Sequence, residues 1–235
     1  MKTRSSDNWN CKAGSQNYLN TDFLFDSDLK YGMPPILKLE QKEPANLDFV
    51  PCQHYHKGEN KGVHFFTEDH FNNAIWNRPL HYAEKFSTAH TVFTPDFSPY
   101  EDYPEVLQIF NIYRSRYITR FFQQYQIEYG NMNVIPYINH NGGKTMEYAF
   151  AGVEKGMMLS ISTVGRFFDK EPFKEFISEL QPTKLYCYGK KDADKILNEF
   201  ENVVFIETFM QSRTRTIKRQ KLLSSFKSIK FDIKK

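Results

Sequence analysis

The sequence predicts an α/β domain whose mostly parallel sheet, open or rolled into a partial barrel, has about five to six strands with flanking helices. Three observations carry this. Five strand-like runs, TVFTP, NVIPYIN, MMLSIST, KLYCYG and NVVFIET, and a shorter VHFF, recur along the chain. Most of the segments between them repeat their apolar residues at helical spacing, as right-handed βαβ crossovers require. The 235 residues carry 22 Phe and 14 Tyr against 11 Gly, enough apolar material for one sizeable core. Six runs are too few for an eight-stranded closed barrel, and the strand order stays open.

Residues 1–47 are rich in Asn, Asp, Ser and Lys and are broken at Met33-Pro34-Pro35, which reads as a loosely ordered arm. Phe23, Leu24, Phe25, Ile36 and Leu37 are its expected docking points. The α/β domain proper spans 48–212. After the loop QHYHKGENKG comes VHFF, then Thr67 as the expected N-cap of a helix carrying Phe71, Ile75 and Trp76 and ended by Pro79. TVFTP leads into a helix over 104–126, with Pro104 suited to its first turn and Val106, Phe110, Tyr113, Tyr117 and Phe121 forming one apolar stripe. Further helices are expected over 172–180 and 192–200.

The net charge of +3 conceals an asymmetry. Residues 213–235 hold nine Lys or Arg against the single acid Asp232, a local charge of +8 that leaves −5 for the rest. Arg213, Arg215, Lys218, Arg219 and Lys221 open this tail and fit phosphate contacts that ignore base sequence. The alternative is a solvated end, although Leu222, Phe226 and Ile229 share a helical face and SIKFDIKK alternates like a strand.

In parallel α/β sheets, ligands bind beyond the carboxyl ends of the strands, where loops converge and helix N-termini point. That rule selects Asp96 and Ser98 after TVFTP, Asn139 and His140 after NVIPYI, and Ser162, Thr163 and Gly165 after MMLSI. It also selects Tyr188, Gly189 and Lys190 after KLYC, and Glu207 and Thr208 after NVVFI. Each also has an ordinary role, because Asp, Ser and Thr cap helices and Gly permits turns. Arg114 falls inside the apolar stripe of its helix, so its guanidinium needs an anionic partner, for which Asp96 is the candidate. The pair either pins strand to helix or binds a phosphate or carboxylate ligand. Asp96, Arg114, Ser162 and Thr163 are therefore the candidate catalytic residues. Ser98, Arg116, Asn139, His140, Tyr188 and Lys190 are candidate binding residues, although Arg116 projects from another side where surface charge is the simpler reading.

No cofactor motif is complete, so none is assigned. His54 and His56, with His64 and His70 further on, lack a metal-ligand spacing, and no metal is expected. HNGGK at 140–144 lacks the Walker spacing. Three isolated cysteines, Cys11, Cys52 and Cys187, form neither a disulfide framework nor a CxxC pair, and Cys187 reads as a buried inert thiol. Without a readable signal segment or an apolar run of spanning length, a cytoplasmic protein with no membrane partner is expected.

The tetrapeptide Pro95 to Ser98, the N-x-Y-R-x-R helix (Asn111, Tyr113, Arg114, Arg116) and S-T-x-G (Ser162, Thr163, Gly165) lie in the order HFFTEDHFNNAIWNRP, TPDFSPYEDYPEVLQIFNIYRSR, VIPYINH, GMMLSISTVG and LYCYG. In this, residues 31 to 210 resemble a bacterial and phage family known only as a domain of unknown function, numbered four-four-one-seven. Many of its members carry Ser-Trp where this chain has Asn139-His140. The resemblance implies company with phages, plasmids and integrated mobile elements, and it implies no activity. Three readings follow: an accessory protein acting on or with nucleic acid or a phosphorylated ligand, an α/β enzyme on a nucleotide or other anionic small molecule, and a module that binds a host protein. The oligomeric state stays open.

Overall fold

Prolines and aromatic residues shape the sheet. The computed structural model describes residues 19–140, 145–164, 170–189, 197, 200–208, 210, 211, 213, 214 and 217. Seven strands lie among them: β1 (Phe49–Pro51), β2 (Gly62–His64), β3 (Thr91–Phe93), β4 (Val134–Ile135), β5 (Met158–Ser162), β6 (Lys184–Tyr188) and β7 (Val203–Ile206). Five α-helices whose bounds lie among the described residues accompany them: α1 (Asp69–Asn77), α2 (Pro79–Phe86), α3 (Glu105–Tyr129), α4 (Thr145–Phe150) and α5 (Lys170–Leu180). All ladders are parallel, in a four-stranded sheet β1-β2-β3-β4 and a three-stranded sheet β5-β6-β7.

The two sheets join at a seam. Pro136 cannot donate to a ladder, so regular β4 pairing ends there and the Tyr137 N–H turns to the Thr94 hydroxyl (2.8 Å). Ser160 of β5 then donates to the Pro136 carbonyl (2.8 Å) and accepts from Ile138 (3.0 Å), a single parallel bridge. At the other end of the seam the Gln41 carboxamide stands in for a strand. Its oxygen accepts from Met158 N–H (2.6 Å), and its nitrogen donates to the Met158 (2.9 Å) and Val134 (3.3 Å) carbonyls.

The strands thus follow one another in chain order, and the surface they make is rolled. Alternate residues of each strand face the helices: Val63, Phe65, Val92 and Val134 in one cluster, and Leu159, Ile161, Leu185 and Cys187 in another. The intervening residues meet on the inner face. Phe49 of β1 stacks on Phe93 of β3 (centroids 4.4 Å apart), Phe93 meets Tyr186 of β6 (5.6 Å), and Phe66 beyond β2 stacks on Tyr188 (4.7 Å). Strands separated by two or three others, as β3 and β2 are from β6, touch this way only if the sheet curls, which makes it a partial barrel. Among the described residues no ladder joins β7 to β1.

Several local expectations are corrected. β1, α2 and α4 had no readable signal because each is short. Glu68, not Thr67, precedes α1, and no side chain caps it. On α3 the expected stripe packs against the core through Phe110, Tyr113, Tyr117 and Phe121, but Val106 is 70% exposed, and the buried face also takes in Asn111, Ser115, Arg116, Thr119 and Gln123. The described part of the arm, from residue 19, is strapped along α3 and the seam. Gln123 bonds both N–H and C=O of Leu37, and Asn133 does the same for Lys42. Met33 and Ile36 are buried there, but Phe23 and Leu24 are exposed. The expected helix 192–200 lies outside the described residues except at 197 and 200.

Candidate functional site

The carboxyl ends of the strands form two adjoining features, a cradle under the loop after β3 and a cavity beside it. The loop is buried from Pro95 to Phe97 and half-buried at Ser98, so its main-chain polar groups need partners that no ladder supplies. Side chains supply them. Asn72 of α1 donates to the Asp96 carbonyl (2.7 Å) and to Phe65 (3.3 Å). Phe97 N–H donates to the Ser115 hydroxyl (3.2 Å), and Asn139 donates to the Phe97 carbonyl and to Ser115 (2.9 Å). Ser98 donates its N–H and hydroxyl to the Asp69 carboxylate (3.2–3.3 Å), while Asn111 donates to the Ser98 carbonyl (2.7 Å). Ser98 and Asn139 are thereby accounted for as parts of the frame that holds Asp96, itself 9% exposed.

Arg114 does not take Asp96 as its partner. Its terminal nitrogens donate to Asn73 (2.8 Å) and Asn111 (2.6 Å), and its guanidinium lies over the Phe97 ring at 4.1 Å. Burial lowers its pKa, opposed chiefly by the carboxylate of Asp69. The reason is α1, which brings Asn73 and Asp69 against α3; helical spacing within α3 reveals nothing of that neighbour. Arg116 is also corrected. Far from being surface charge, it is 2% exposed and donates to the carbonyls of Pro34 (2.8 Å), Tyr148 (3.2 Å) and Ala149 (3.1 Å). Burial lowers its pKa to about 10. It fastens α3 to the arm and to α4, away from the strand ends. His140 is buried, its ring 5.9 Å from that of Phe150.

The cavity, about 530 Å³, opens at the ends of five strands, and its size falls within the range of small-molecule sites. Pro51, Gln53 and His54 border it from β1, and Phe66, Thr67 and Glu68 from β2, with Phe71 on α1. Thr163 and Val164 close it from β5, Tyr188 from β6, and Thr208 and Met210 from β7. Of the strand-end residues selected from sequence, it collects Thr163, Tyr188 and Thr208. Ser162 is buried, its hydroxyl accepting from Val164 N–H (3.2 Å) to turn the chain. Thr163 N–H extends the ladder to the Tyr188 carbonyl (3.1 Å). A Cβ at Gly189 would collide with the Thr163 hydroxyl, so only glycine fits that approach.

His64 lies on the inner face, its ring 4.5 Å from Tyr188 and 5.4 Å from Phe66. Its Nδ1 accepts from Phe66 N–H (3.3 Å), which leaves the proton on Nε2. Burial pushes its pKa down to about 3, so the ring is neutral. Burial likewise pushes the Cys52 thiol up to about 12, leaving it without nucleophilic character. His64, Phe66, Thr67, Asp69, Asn72 and Ser115 were missed by sequence reasoning. The available signal was the polar residues, Asn72 and Ser115, set into otherwise apolar helix faces.

Beyond β7, Thr208 N–H donates to Gln211 Oε1 (2.7 Å) and Gln211 N–H to Thr208 Oγ1 (3.3 Å), a reciprocal cap that starts a helix at the cavity rim. Arg213 is on it and exposed. Gly165, Lys190, Arg215, Lys218, Arg219, Lys221 and residues 141–144 lie outside the described residues. Among those described, no three His, Cys, Asp or Glu are grouped to hold a metal ion, and no helix is long and apolar enough to cross a membrane.

A parallel α/β sheet wound in chain order, with a polar cradle and a cavity at its strand ends, is the class of protein defined here. The chain belongs to the family described as Domain of unknown function (DUF4417), whose model matches residues 25–208. It is 30% identical over 198 residues to the Gene 1 protein of Mycobacterium phage L5, covering 80% of this chain and 84% of that protein. It is 29% identical over 198 residues to the Gene 1 protein of Mycobacterium phage D29, covering 80% and 71% respectively. No solved structure matches significantly. The family match ends before the basic segment.

Proposed function

We propose that this chain is a mobile-element accessory protein that engages nucleic acid at its strand-end face. The observation that carries this reading is the reciprocal Thr208–Gln211 cap, which leads the chain from β7 along the cavity rim into a segment with nine Lys or Arg against one acid. A cationic segment that begins three residues after the cavity-lining Met210 suits a phosphodiester backbone, whose contacts release counterions. The phage origin of the Gene 1 relatives supports a mobile-element setting. The test is retention of single- and double-stranded DNA and RNA across a salt series, with the full chain and with residues 213–235 deleted. The expected logarithmic salt slope is about −0.7 per phosphate contact on single strands and about −0.9 on duplex DNA, and deletion removes most of it. Absence of retention at moderate salt would overturn the reading.

A second reading, an enzyme acting on a nucleotide or other anionic small molecule, is favoured by the cradle. Side chains from α1, α3 and the segment after β4 fix the main chain that carries Asp96, the preorganisation that an acid–base carboxylate needs. Asp96→Asn that leaves folding and nucleic-acid retention intact while abolishing turnover of a nucleotide would support it.

A further inference from the structure

We infer that residues 228–233 dock as an eighth parallel strand between the open edges of β7 and β1, so that the chain's own basic segment closes the partial barrel. This goes beyond the nucleic-acid reading and divides the segment on which that reading relies. Arg213, Arg215, Lys218, Arg219 and Lys221 stay with phosphate contacts, whereas Ile229, Phe231 and Ile233 belong to the barrel wall.

Both edges want a neighbour. Among the described residues β1 pairs with β2 alone and β7 with β6 alone, so each presents a row of main-chain groups that a parallel strand would satisfy. Their side chains agree. Strands β2, β3 and β4 are buried throughout, whereas Phe49 and Val50 of β1 and Val203, Val204 and Phe205 of β7 are only half-buried. Successive residues of a strand face opposite sides, so each edge is part-covered on both faces. The curl brings the edges toward each other, since Gln53 and His54 beyond β1 line one cavity with Thr208 and Met210 beyond β7. One more strand makes eight, the number that encloses an interior just wide enough for side chains to fill.

The winding of the chain selects the occupant. Every ladder is parallel and each strand within a sheet lies beside its predecessor, so all crossovers turn the same way and a further one sets its strand on the free side of β7. That crossover has begun. After the Thr208–Gln211 cap, residues 210, 211, 213, 214 and 217 are helical, and the Thr214 hydroxyl donates to the Met210 carbonyl (2.8 Å). Between Ile206 and Ser228 stand 21 residues, the same number that separates Ser162 of β5 from Lys184 of β6. From Ser228 the sequence alternates, with Ile229, Phe231 and Ile233 on one face and Lys230, Asp232 and Lys234 on the other, as a strand with one packed face does. Residues 1–18 offer no such alternation.

Direction has a consequence for the site. A strand parallel to β7 points its carboxyl end toward the cavity, which places Lys234 and Lys235 at the rim between His54 and Met210. These two cations then belong to the strand-end face and not to a solvated end.

The experiment is amide hydrogen exchange on the full chain, native and Phe231→Pro. In the native chain the amides of 229–233 are expected to exchange at least about 100-fold more slowly than in an unstructured peptide. Phe231→Pro removes a ladder donor while keeping the net charge. It is expected to abolish that protection and to raise exchange in β7 and β1 but not in β3, while Phe231→Leu preserves the native pattern. The inference is overturned if 229–233 exchange at the unstructured rate in the native chain, or if Phe231→Pro leaves β7 and β1 unaltered. Protection that falls on dilution also overturns it, because the edge would then be covered by a second copy. The native measurement needs no substitution, so the question is decided even where Phe231→Pro does not fold. The salt slope of nucleic-acid retention, read on the same variant, is expected to stay unchanged, so the nucleic-acid reading and the eighth strand fail separately.

Discussion

His64 is held neutral inside the sheet, and its cost appears in acid. The folded ring has a pKa of about 3, below the ordinary 6.5, so between those values the unfolded chain binds a proton that the folded chain refuses. Stability must therefore fall as pH drops through that window, by about 1.4 kcal/mol per pH unit at most from this group. Carboxylates titrate in part of the same range, so the measurement is a comparison. Urea unfolding of the native chain and of His64→Phe at neutral pH and at about pH 5 should show the native chain losing more stability, by about 1–2 kcal/mol. Equal losses would mean that the imidazole is solvated. His64 looked in sequence like one member of a scattered His set; only its position against Tyr188 and Phe66 distinguishes it. Asp96 and Thr163 were legible because they follow strands, whereas the Asp69 and Asn72 that hold the loop come from a helix whose packing direction periodicity does not encode.

At the scale of elements, α3 departs most from its pattern. It buries Asn111, Ser115, Arg116, Thr119 and Gln123 because its inward face must satisfy the loop after β3, the arm and the end of α4, none of which supplies its own ladder. Arg116→Met fills similar volume but leaves the carbonyls of Pro34, Tyr148 and Ala149 without their donor, and it is expected to cost about 2–4 kcal/mol, measured as a fall in urea midpoint. Arg120→Met, at a half-buried site over Phe25, should cost less than about 1 kcal/mol and serves as the control. An equal effect of both would return Arg116 to the role of surface charge. The helix itself was legible from 104 onward, ending at Gly130 in the left-handed region (φ 69°). Its buried polar face was not, since apolar periodicity ranks Val106 above Asn111 while tertiary contacts rank them the other way.

Across the whole molecule, the seam between the sheets decides whether the seven strands act as one body. Gln41 provides three main-chain bonds there, so Gln41→Ala is expected to cost about 1–3 kcal/mol. It should also raise amide exchange in β4 and β5 above that in β2, and uniform exchange would show that the Ser160 bridge alone holds the seam. By itself the sequence determined that strands alternate with helices, that they run parallel, that the strand ends gather polar residues, and that positive charge collects in the last 23 residues. These are local properties, since side-chain period, crossover length and composition are written within a few residues of each position. Tertiary structure alone decided that the sheet curls, that Phe66, Thr67, Thr163, Tyr188 and Met210 share one cavity, and that Asp69 rather than Asp96 bears on Arg114. Those outcomes depend on how a twisted sheet closes and where α1 lands on α3, which are sums over many distant contacts that no stretch of sequence carries alone.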